Sequence, residues 1–318
     1  MGFDKTKWHD LEQECAEILF YVHPSDKTLL PRNIPQEIIE DFKSLPFEGS
    51  PNRLSNDYVE WEVIENVRKL TRKPLTVQKL INLLLGNFVE NEIPEVEAVK
   101  IIRQRRSALD FDGETSITKQ QFYAMLDKTL PRRGCAPYDV EVVNENVDLL
   151  IFVHRIDGLD SGLYYFNRNL NHLNEFKQKT DPQLKWQKEE NGLPLYLLKT
   201  GDFQGIAEMV SCGQSIAGSS SFSLGMLSWF KEPIESHPFI YKQLLWETGM
   251  IGQILYLEAE AHGMRSTGIG CFFDDEVHRV IGLKDNTFQS LYHFTVGGPV
   301  EDPRLMIYPP YFHLKKKK

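Results

Sequence analysis

The stretch from His237 to Leu283 constrains the fold of this 318-residue chain more than any other. From Ile240 to Ala259 its apolar residues recur at spacings of three, four or seven, which is the period of a helix. An adjacent stripe carries Leu245, Gly249, Gly252, Tyr256 and Glu260. The pattern predicts a long helix with apolar surface on more than one side. Each glycine within a helix costs up to about 1 kcal/mol relative to alanine, so Gly249 and Gly252 indicate dense packing or a close ligand, packing being the commoner reason.

The residues after this helix predict a turn, a short apolar segment and a second helix. Gly263 is placed to end the first helix, and Asp274 and Asp275 are predicted to cap a second one that runs to Ile281. Between them, Gly268 and Gly270 lack side chains, so a flat ligand could approach the backbone closely. Phe273 stands where a dinucleotide-binding fingerprint requires its third glycine, which argues against an NAD-type Rossmann domain.

A concentrated positive charge lies earlier in the chain. Arg103, Arg105 and Arg106 fall within four positions at the end of a helix predicted over residues 95–106, and Ser107 follows them. A guanidinium can donate paired hydrogen bonds to phosphate oxygens, so the cluster is a candidate anion site. The same residues could equally be a solvated basic helix end that favours the helix dipole.

Strand-like runs dominate the second half of the chain. The run 147–154, a turn at 158–162 and a return at 163–166 predict a hairpin or the edge of a larger sheet, and further strands are predicted over 193–198, 222–230 and 288–296. Helices are predicted over 119–129, capped by Thr118, and over 203–216.

The first third of the chain is organised differently. Five prolines between positions 24 and 51 predict a loop-rich arm, with helices on either side over 10–21, 60–70 and 76–85. The linker-like residues 91–95 divide the chain into an N-terminal helical and loop-rich extension, 1–94, and a main domain, 95–314. The four lysines 315–318 are expected to be a solvated tail.

Several kinds of function are disfavoured by the composition. A net charge of −9 argues against binding to nucleic acid or an anionic membrane, and no apolar run approaches the roughly 20 residues of a membrane span. The four cysteines are scattered without zinc-ligand spacing, so no metal site is expected. The cysteines are expected to be reduced thiols in a cytoplasmic protein.

Two groups of residues approach catalytic patterns, and a structural explanation is favoured for both. His154 and Asp157 lie at a strand end beside a turn, where polar residues are more often structural. The run from Gly213 to Ala217 approaches the GxSxG motif of hydrolases, but it ends in alanine and falls inside a predicted helix.

Three features together resemble the flavin-dependent nitroreductase superfamily, over about residues 96–313. They are Arg105-Arg106-Ser107 ahead of Phe111, the helix that leads to Gly268-Ile269-Gly270, and the strand that ends in Val296-Gly-Gly-Pro299 ahead of Arg304. Within that superfamily, residues 147–173 and the run from Tyr241 to Gly249 are similar to the SagB-like branch, which includes thiazole- and oxazole-forming peptide dehydrogenases.

The resemblance implies an α+β, nitroreductase-like fold, with a central mostly antiparallel sheet flanked by helices, and a homodimer that binds FMN at its interface. It assigns Arg105, Arg106 and Ser107 to the FMN phosphate and ribityl chain, and Arg304 to a second phosphate contact. Gly268, Ile269 and Gly270 would lie along the isoalloxazine ring. Arg103 lies outside the matched triplet and is a further candidate. No catalytic side chain is identified, because the flavin itself carries the redox chemistry.

The expected function is that of an FMN-dependent oxidoreductase that cycles hydride through a bound flavin. NAD(P)H is a possible electron donor, and the substrate could be a nitro- or quinone-type acceptor or a peptide azoline. Two alternatives stay open: a non-catalytic, nitroreductase-like partner subunit of a biosynthetic complex, and an enzyme that consumes FMN. Leu109, where many relatives carry a basic residue, keeps the first alternative open, as does the lack of a Pro-Ser-Ala-Gly counterpart before the hairpin. The N-terminal extension is expected to cover the catalytic domain or the dimer.

Overall fold

The computed structural model describes residues 35–46, 57, 59–74, 94–132, 136–138, 146–190 and 192–314. The chain divides into two compact units, Met1–Val67 and Arg68–Lys318. The predicted helices over 10–21 and 76–85, most of the linker at 91–95 and the lysine tail lie outside the described residues. The predicted division at residue 94 is therefore still an expectation.

Two helices are described before residue 75, α1 (Gln36–Ser44) and α2 (Glu62–Leu70). Helix α2 agrees with the predicted helix over 60–70, whereas α1 corrects the prediction of a loop-rich arm. The prolines bound α1 without breaking it, because Pro35 directly precedes its first residue and Pro46 follows its end. Leu45, held extended with ψ 138° before Pro46, shows the usual effect of a proline on the residue ahead of it.

The larger unit is built on a seven-stranded antiparallel sheet. The strands of this unit are β1 (Ile117–Thr118), β2 (Val147–Val153), β3 (Ile156–Asp157), β4 (Gly162–Phe166), β5 (Gln187–Lys188), β6 (Leu195–Thr200), β7 (Phe222–Trp229), β8 (Arg265–Ile269) and β9 (Phe288–Gly297). Their order across the main sheet is β5-β6-β4-β2-β7-β9-β8, while β1 and β3 form a small parallel pair. The antiparallel sheet confirms the predicted fold class.

Strand β2 lies at the middle of this sheet, and all seven of its residues are buried. It pairs with β4, which confirms the predicted hairpin, and with β7, so the alternative of a sheet edge is wrong. Because successive side chains of a strand point to opposite faces, Leu149 and Ile151 enter one core cluster while Leu150 and Phe152 enter the other. A strand buried on both faces explains why the run is apolar apart from Asp148.

Helices cover both faces of the sheet. They are α3 (Ala98–Gln104), α4 (Lys119–Lys128), α5 (Leu173–Lys179), α6 (Gln204–Val210), α7 (Ile216–Ser219), α8 (Lys231–Ser236), α9 (Ile240–Ala261) and α10 (Asp274–Ile281), with 3-10 turns at Leu170–His172 and Phe312–Leu314. Buried residues of α4 and α9 share a core cluster with Ile151, and those of α6, α7 and α10 share the other cluster with Phe152.

The long helix α9 and the cap of α4 agree with the predictions. Helix α9 ends ahead of Gly263, whose φ of +74° is the left-handed conformation typical of a glycine after a helix. At α4, the Thr118 hydroxyl accepts a hydrogen bond from the Gln121 amide at 3.2 Å, and the Gln121 side chain accepts one from the Thr118 amide at 3.0 Å. This reciprocal pair is a capping box.

Three helix boundaries differ from the predictions. The helix expected over 203–216 is two short helices, α6 and α7, because Cys212 and Gly213 have φ of +63° and +71° and turn the chain between them. The first residue of α10 is Asp274 and its cap position is Phe273, so the aspartates occupy the first turn, where their charge still favours the dipole. Helix α3 is shorter at both ends than the predicted 95–106.

A buried charged network ties the middle of the sheet to α9. Arg168, which follows β4, contacts Glu247 of α9 at 2.6 Å, and both side chains are at most 2% exposed. Arg168 also donates to the carbonyl oxygens of Val147 at 2.6 Å and Thr129 at 2.8 Å. Asp148 of β2 accepts hydrogen bonds from the backbone amide of Arg168 and from the Tyr165 hydroxyl.

None of the described helices combines the length and apolar composition that a bilayer span requires.

Candidate flavin-binding site

The arginine cluster lies at the end of α3, next to the edge strand β8. Arg105 leaves the helical conformation with ψ 131°, which ends α3 and directs the chain toward the sheet. Ser107 then forms an isolated parallel bridge with Ser266 of β8, and the Ala108 amide donates to the Ser266 carbonyl at 3.0 Å. A further bond, from the Thr267 hydroxyl to the Ala108 carbonyl at 2.7 Å, fixes this arrangement. Residues distant in sequence are thereby held side by side.

Tyr256 of α9 connects the predicted phosphate residues with the predicted flavin edge. Its hydroxyl lies 2.8 Å from the Ser107 hydroxyl and accepts a hydrogen bond from the Gly268 amide at 2.9 Å. The guanidinium carbon of Arg105 is 4.6 Å from the centre of the Tyr256 ring, within the range of a cation–π interaction. One side chain thus contacts Arg105, Ser107 and Gly268.

The three arginines differ in exposure and in their contacts. Arg103 is exposed, whereas Arg105 and Arg106 are half-buried. Arg106 donates from one terminal nitrogen to the carbonyl oxygens of Arg103, Gln104 and Arg105, at 3.3, 3.3 and 2.8 Å. Within the described ranges none of the three forms an ion pair with a carboxylate. The donor set suits an anion with several oxygens, such as a phosphate.

The three residues of the predicted flavin edge have different surroundings. Ile269 is 2% exposed and its side chain belongs to the core. Gly268 is closed on one side, because a methyl group there would overlap the Tyr292 hydroxyl, and its amide is bound to Tyr256. Gly270 is exposed, and apart from its two chain neighbours none of the described residues has an atom within 4 Å of where its Cβ would be. A flat ligand could therefore approach the backbone most closely at Gly270.

A groove of about 280 Å³ lies between α9 and β9, beside Tyr256. It is lined by Leu245, Thr248, Gly249, Gly252, Gln253, Tyr256, Leu291, Tyr292 and Phe294. A side chain at Gly249 would meet no neighbouring atom, whereas one at Gly252 would contact the Phe294 ring at 3.5 Å. Of the two helical glycines, Gly252 is the one that packs against the sheet.

Arg304 is separate from this cluster. Its side chain is 86% exposed and forms an ion pair with Asp302 at 2.7 Å. The segment before it is held to the domain, because Phe111 and Pro299 form an antiparallel bridge and Glu301 pairs with Arg265 at 2.6 Å. No hydrogen bond or ring contact joins Arg304 to Arg105, Arg106 or Ser107 in the described part of the chain.

The alternative catalytic residues have structural surroundings. His154 is buried, its Nε2 lies 3.2 Å from the Ala217 carbonyl, and burial lowers the pKa of its imidazole to about 4. Ser215 directly precedes α7 and does not lie in a strand-to-helix turn of the hydrolase kind. Across the described residues, no group of three or more His, Cys, Asp and Glu side chains is arranged to hold a metal ion.

Comparison with known proteins supports the fold. No protein-family model and no curated protein sequence matches the chain. Among solved structures, a candidate nitroreductase from Anabaena variabilis matches with 19% identity and a TM-score of 0.56, over 77% of this chain and 49% of that one. The chain thus spans about half the length of that protein. This similarity shows that the chain has a nitroreductase-like fold.

Two further solved structures superpose less well on this chain. A candidate nitroreductase from Ralstonia eutropha has 12% identity and a TM-score of 0.47, over 73% of this chain and 97% of that one. The Escherichia coli microcin synthetase McbBCD complex, with truncated pro-MccB17 bound, has 16% identity and a TM-score of 0.44, over 84% of this chain and 93% of that one.

The structure adds Tyr256 and Tyr292 to the residues that the sequence singles out for the site. Tyr256 is on the same helical stripe as Gly249 and Gly252, and a tyrosine beside two helical glycines is a usable signal for a polar contact at a close approach. Tyr292 has no such signal, because its proximity to Gly268 depends on the pairing of β9 with β8.

Proposed function

We propose that this chain is an FMN-dependent oxidoreductase of the nitroreductase type. The contacts of Tyr256 are the observation that carries the proposal, since they bring Arg105, Ser107 and Gly268 to one place. Arg105 and Ser107 are proposed for the phosphate and ribityl chain, and Gly268 for the ring. The nitroreductase-like fold supports the same class of function without selecting a substrate.

The proposed roles follow from the donors that each residue presents. Arg105 and Arg106 bind the phosphate through charge-assisted hydrogen bonds, and Ser107 donates to the ribityl chain while Tyr256 holds its hydroxyl in place. Arg103 and Arg304 provide further positive charge, Arg304 by exchanging Asp302 for the phosphate. Bound FMN would supply hydride transfer, so the protein needs to orient it and limit access to the ring.

The flavin ring is proposed to lie against the exposed backbone at Gly270. Gly268 and the buried Ile269 hold that backbone in place. The proposed substrate is a nitro- or quinone-type acceptor or a peptide azoline, and NAD(P)H is the proposed donor for the first two.

A homodimer is part of the proposal. After the sheet ends, residues 305–314 carry large apolar side chains in solvent: Leu305, Met306, Ile307, Tyr308, Tyr311, Phe312 and Leu314 are 43–76% exposed. A contiguous exposed apolar segment is typical of an interface. We propose a second copy of the chain as its partner. Sedimentation velocity should give a dimer for the intact chain and a monomer for the double variant Met306→Asp and Ile307→Asp.

Turnover is the test of catalytic function. Protein reconstituted with FMN should oxidise NADPH or NADH in the presence of a quinone or a nitroaromatic compound, followed at 340 nm. The variant Arg105→Ala, assayed at an FMN concentration that saturates the wild type, should lose activity that additional FMN restores. If the flavin-loaded protein turns over neither donor with either acceptor, nitroreductase-type activity fails and a substrate dehydrogenase becomes the better hypothesis.

One observation favours the alternative of a non-catalytic partner subunit. The Tyr292 hydroxyl closes one side of Gly268, and the Gly268 amide is already bound to Tyr256. If these contacts exclude the flavin, the wild type should fail to bind FMN while Tyr292→Ala should bind it. Equal FMN affinity in both proteins would remove this argument.

A further inference from the structure

Two cysteines from distant parts of the sequence meet beside the candidate site. Cys212 lies in the turn between α6 and α7, and Cys271 follows Gly270 at the end of β8. The Phe273 amide donates to the Val210 carbonyl at 2.8 Å, and the Gln214 side chain donates to the Cys271 carbonyl at 3.2 Å. These two bonds hold the segment 210–214 against the segment 271–273.

The two thiols are carried by these adjoining segments. The nearby Cys271 thiol raises the pKa of the Cys212 thiol, and partial burial adds to that shift. Cys271 is exposed to solvent, whereas Cys212 is partly buried. An exposed thiol reacts first with a soluble oxidant, and a second thiol in contact with it can then resolve the product.

The backbone around Cys212 is held in an unusual conformation. Cys212 has a φ of +63°, a region that few residues other than glycine adopt. The bonds from the Ser211 amide to the Ala207 carbonyl, at 3.1 Å, and from the Gly213 amide to the Glu208 carbonyl, at 2.9 Å, fix the turn on α6. The backbone of the turn that carries Cys212 is therefore fixed next to the segment that carries Cys271.

We propose that Cys212 and Cys271 form a reversible dithiol–disulfide pair that is oxidised by low-molecular-weight disulfides. The Cys271 thiolate attacks one sulfur of the small disulfide, which forms a mixed disulfide and releases one small thiol. Cys212 then loses its proton and attacks the Cys271 sulfur, which releases the second small thiol. In total, two protein thiols become one protein disulfide and one small disulfide becomes two thiols.

The disulfide would connect the α6–α7 turn to the chain directly after Gly270. A crosslink there would restrict the backbone that is proposed to lie along the flavin, so the redox state of the pair would affect flavin binding. That consequence rests on the proposed function, whereas disulfide formation itself does not. In a reducing compartment such a pair is a sensor, formed under oxidative conditions and reversed by thiols.

The test uses the full chain with Cys15 and Cys135 replaced by serine. This protein is incubated with excess oxidised glutathione, alkylated, digested and analysed by mass spectrometry. A peptide pair joined through Cys212 and Cys271 is expected, with loss of both alkylatable thiols and their return after dithiothreitol. The control Cys271→Ser should give no linked peptide and only slow glutathione addition at Cys212.

Three results would overturn the proposal: two unreacted thiols, stable glutathione adducts on both cysteines, or a disulfide between two chains on a non-reducing gel. The wild-type chain, analysed in the same way, excludes an artefact of the serine background. FMN titration of the reduced and oxidised proteins separates the two proposals. A disulfide that forms in a chain with no affinity for FMN would support the dithiol pair and contradict the proposed function.

Discussion

Arginine has two different uses in this chain. Arg168 is fully buried, and its hydrogens are directed to the Glu247 carboxylate and to the carbonyl oxygens of Val147 and Thr129. Arg105 and Arg106 are half-buried at the end of α3 and have no carboxylate partner among the described residues. Arg168 is committed to partners inside the protein, whereas Arg105 and Arg106 are the residues proposed to bind an external phosphate.

Burial and pairing distinguish a charged residue that stabilises the fold from one that is available to bind a ligand. A buried ion must be paired and hydrogen-bonded, because removing it from water costs several kcal/mol. An unpaired arginine near the surface has no such requirement, and its retained charge is available to a ligand. Changes at Arg168 and Glu247 should therefore affect folding, and changes at Arg105 should affect binding.

The largest effect is expected from Glu247→Ala. The substitution leaves the Arg168 guanidinium buried without its carboxylate partner. It also removes the Glu247 carboxylate oxygen that accepts a hydrogen bond from the Asn146 amide at 3.1 Å. Loss of one partner of a buried pair costs about 3–5 kcal/mol. Urea unfolding at pH 8 measures this cost, with Glu247→Gln as the matched control that keeps an acceptor. A loss under about 1 kcal/mol would mean that the pair contributes little to folding.

The second prediction concerns Arg105→Ala, which should weaken FMN binding by about 1.5–3 kcal/mol through loss of charge-assisted hydrogen bonds to the phosphate. Fluorescence titration with FMN measures the change. Arg103→Ala, on the exposed side of α3, is the control and should have a smaller effect. The free energy of unfolding should be the same for wild type and Arg105→Ala. If Arg105→Ala lost stability and kept its FMN affinity, Arg105 would be a structural residue like Glu247 and not a binding residue.

The third prediction extends the contrast to pH. Burial lowers the pKa of His293 to about 3 and that of His154 to about 4, against about 6.5 in an unfolded chain. As pH falls below 6.5 the unfolded state takes up protons that the folded state does not, so stability decreases toward acid. Each histidine should contribute about 1.4 kcal/mol per pH unit, His293 down to about pH 3 and His154 to about pH 4.

Unfolding free energies of the wild type and of His293→Gln, measured at pH 7 and pH 5, test the contribution of His293. The variant should lose less stability on acidification than the wild type. The same pH dependence in both proteins would indicate that His293 is protonated in the folded state.

The smallest effect is expected from Tyr256→Phe. The substitution removes the hydroxyl shared by Ser107 and Gly268 and keeps the ring against Arg105. A neutral hydrogen bond contributes about 1 kcal/mol, so FMN affinity should fall by about fivefold. Isothermal titration calorimetry measures the change relative to the wild type. Equal affinities in the wild type and in Tyr256→Phe would leave Tyr256 as a packing residue only.

The sequence predicts much of the fold because its strongest signals are local. The apolar run of β2 and the periodic residues of α9 give those elements without knowledge of their neighbours, and the capping box at Thr118 is encoded within four residues. The break between α6 and α7 is not predictable in this way, because a cysteine with positive φ has no sequence signature. The start of α10 is not predictable either, because Phe273 occupies the cap position and its side chain forms no capping hydrogen bond.

Local sequence signals identify only part of the candidate site. The resemblance singles out Arg105, Ser107 and Gly268, but the contacts that join them depend on Tyr256, which is 149 residues from Ser107 in the chain. Such contacts depend on how α9 packs on the sheet and on the register of β8 with β9. Arg304 shows the converse, because the resemblance assigns it to the phosphate while the structure pairs it with Asp302.

The visible absorption spectrum of the purified protein shows whether it binds FMN. It is recorded before and after FMN is added and the unbound excess is removed. Flavin absorption bands are expected to remain with the wild type and to be diminished in Arg105→Ala. A protein that stays colourless after addition of FMN, although it is folded by circular dichroism, would contradict flavin-dependent catalysis and favour the non-catalytic partner subunit.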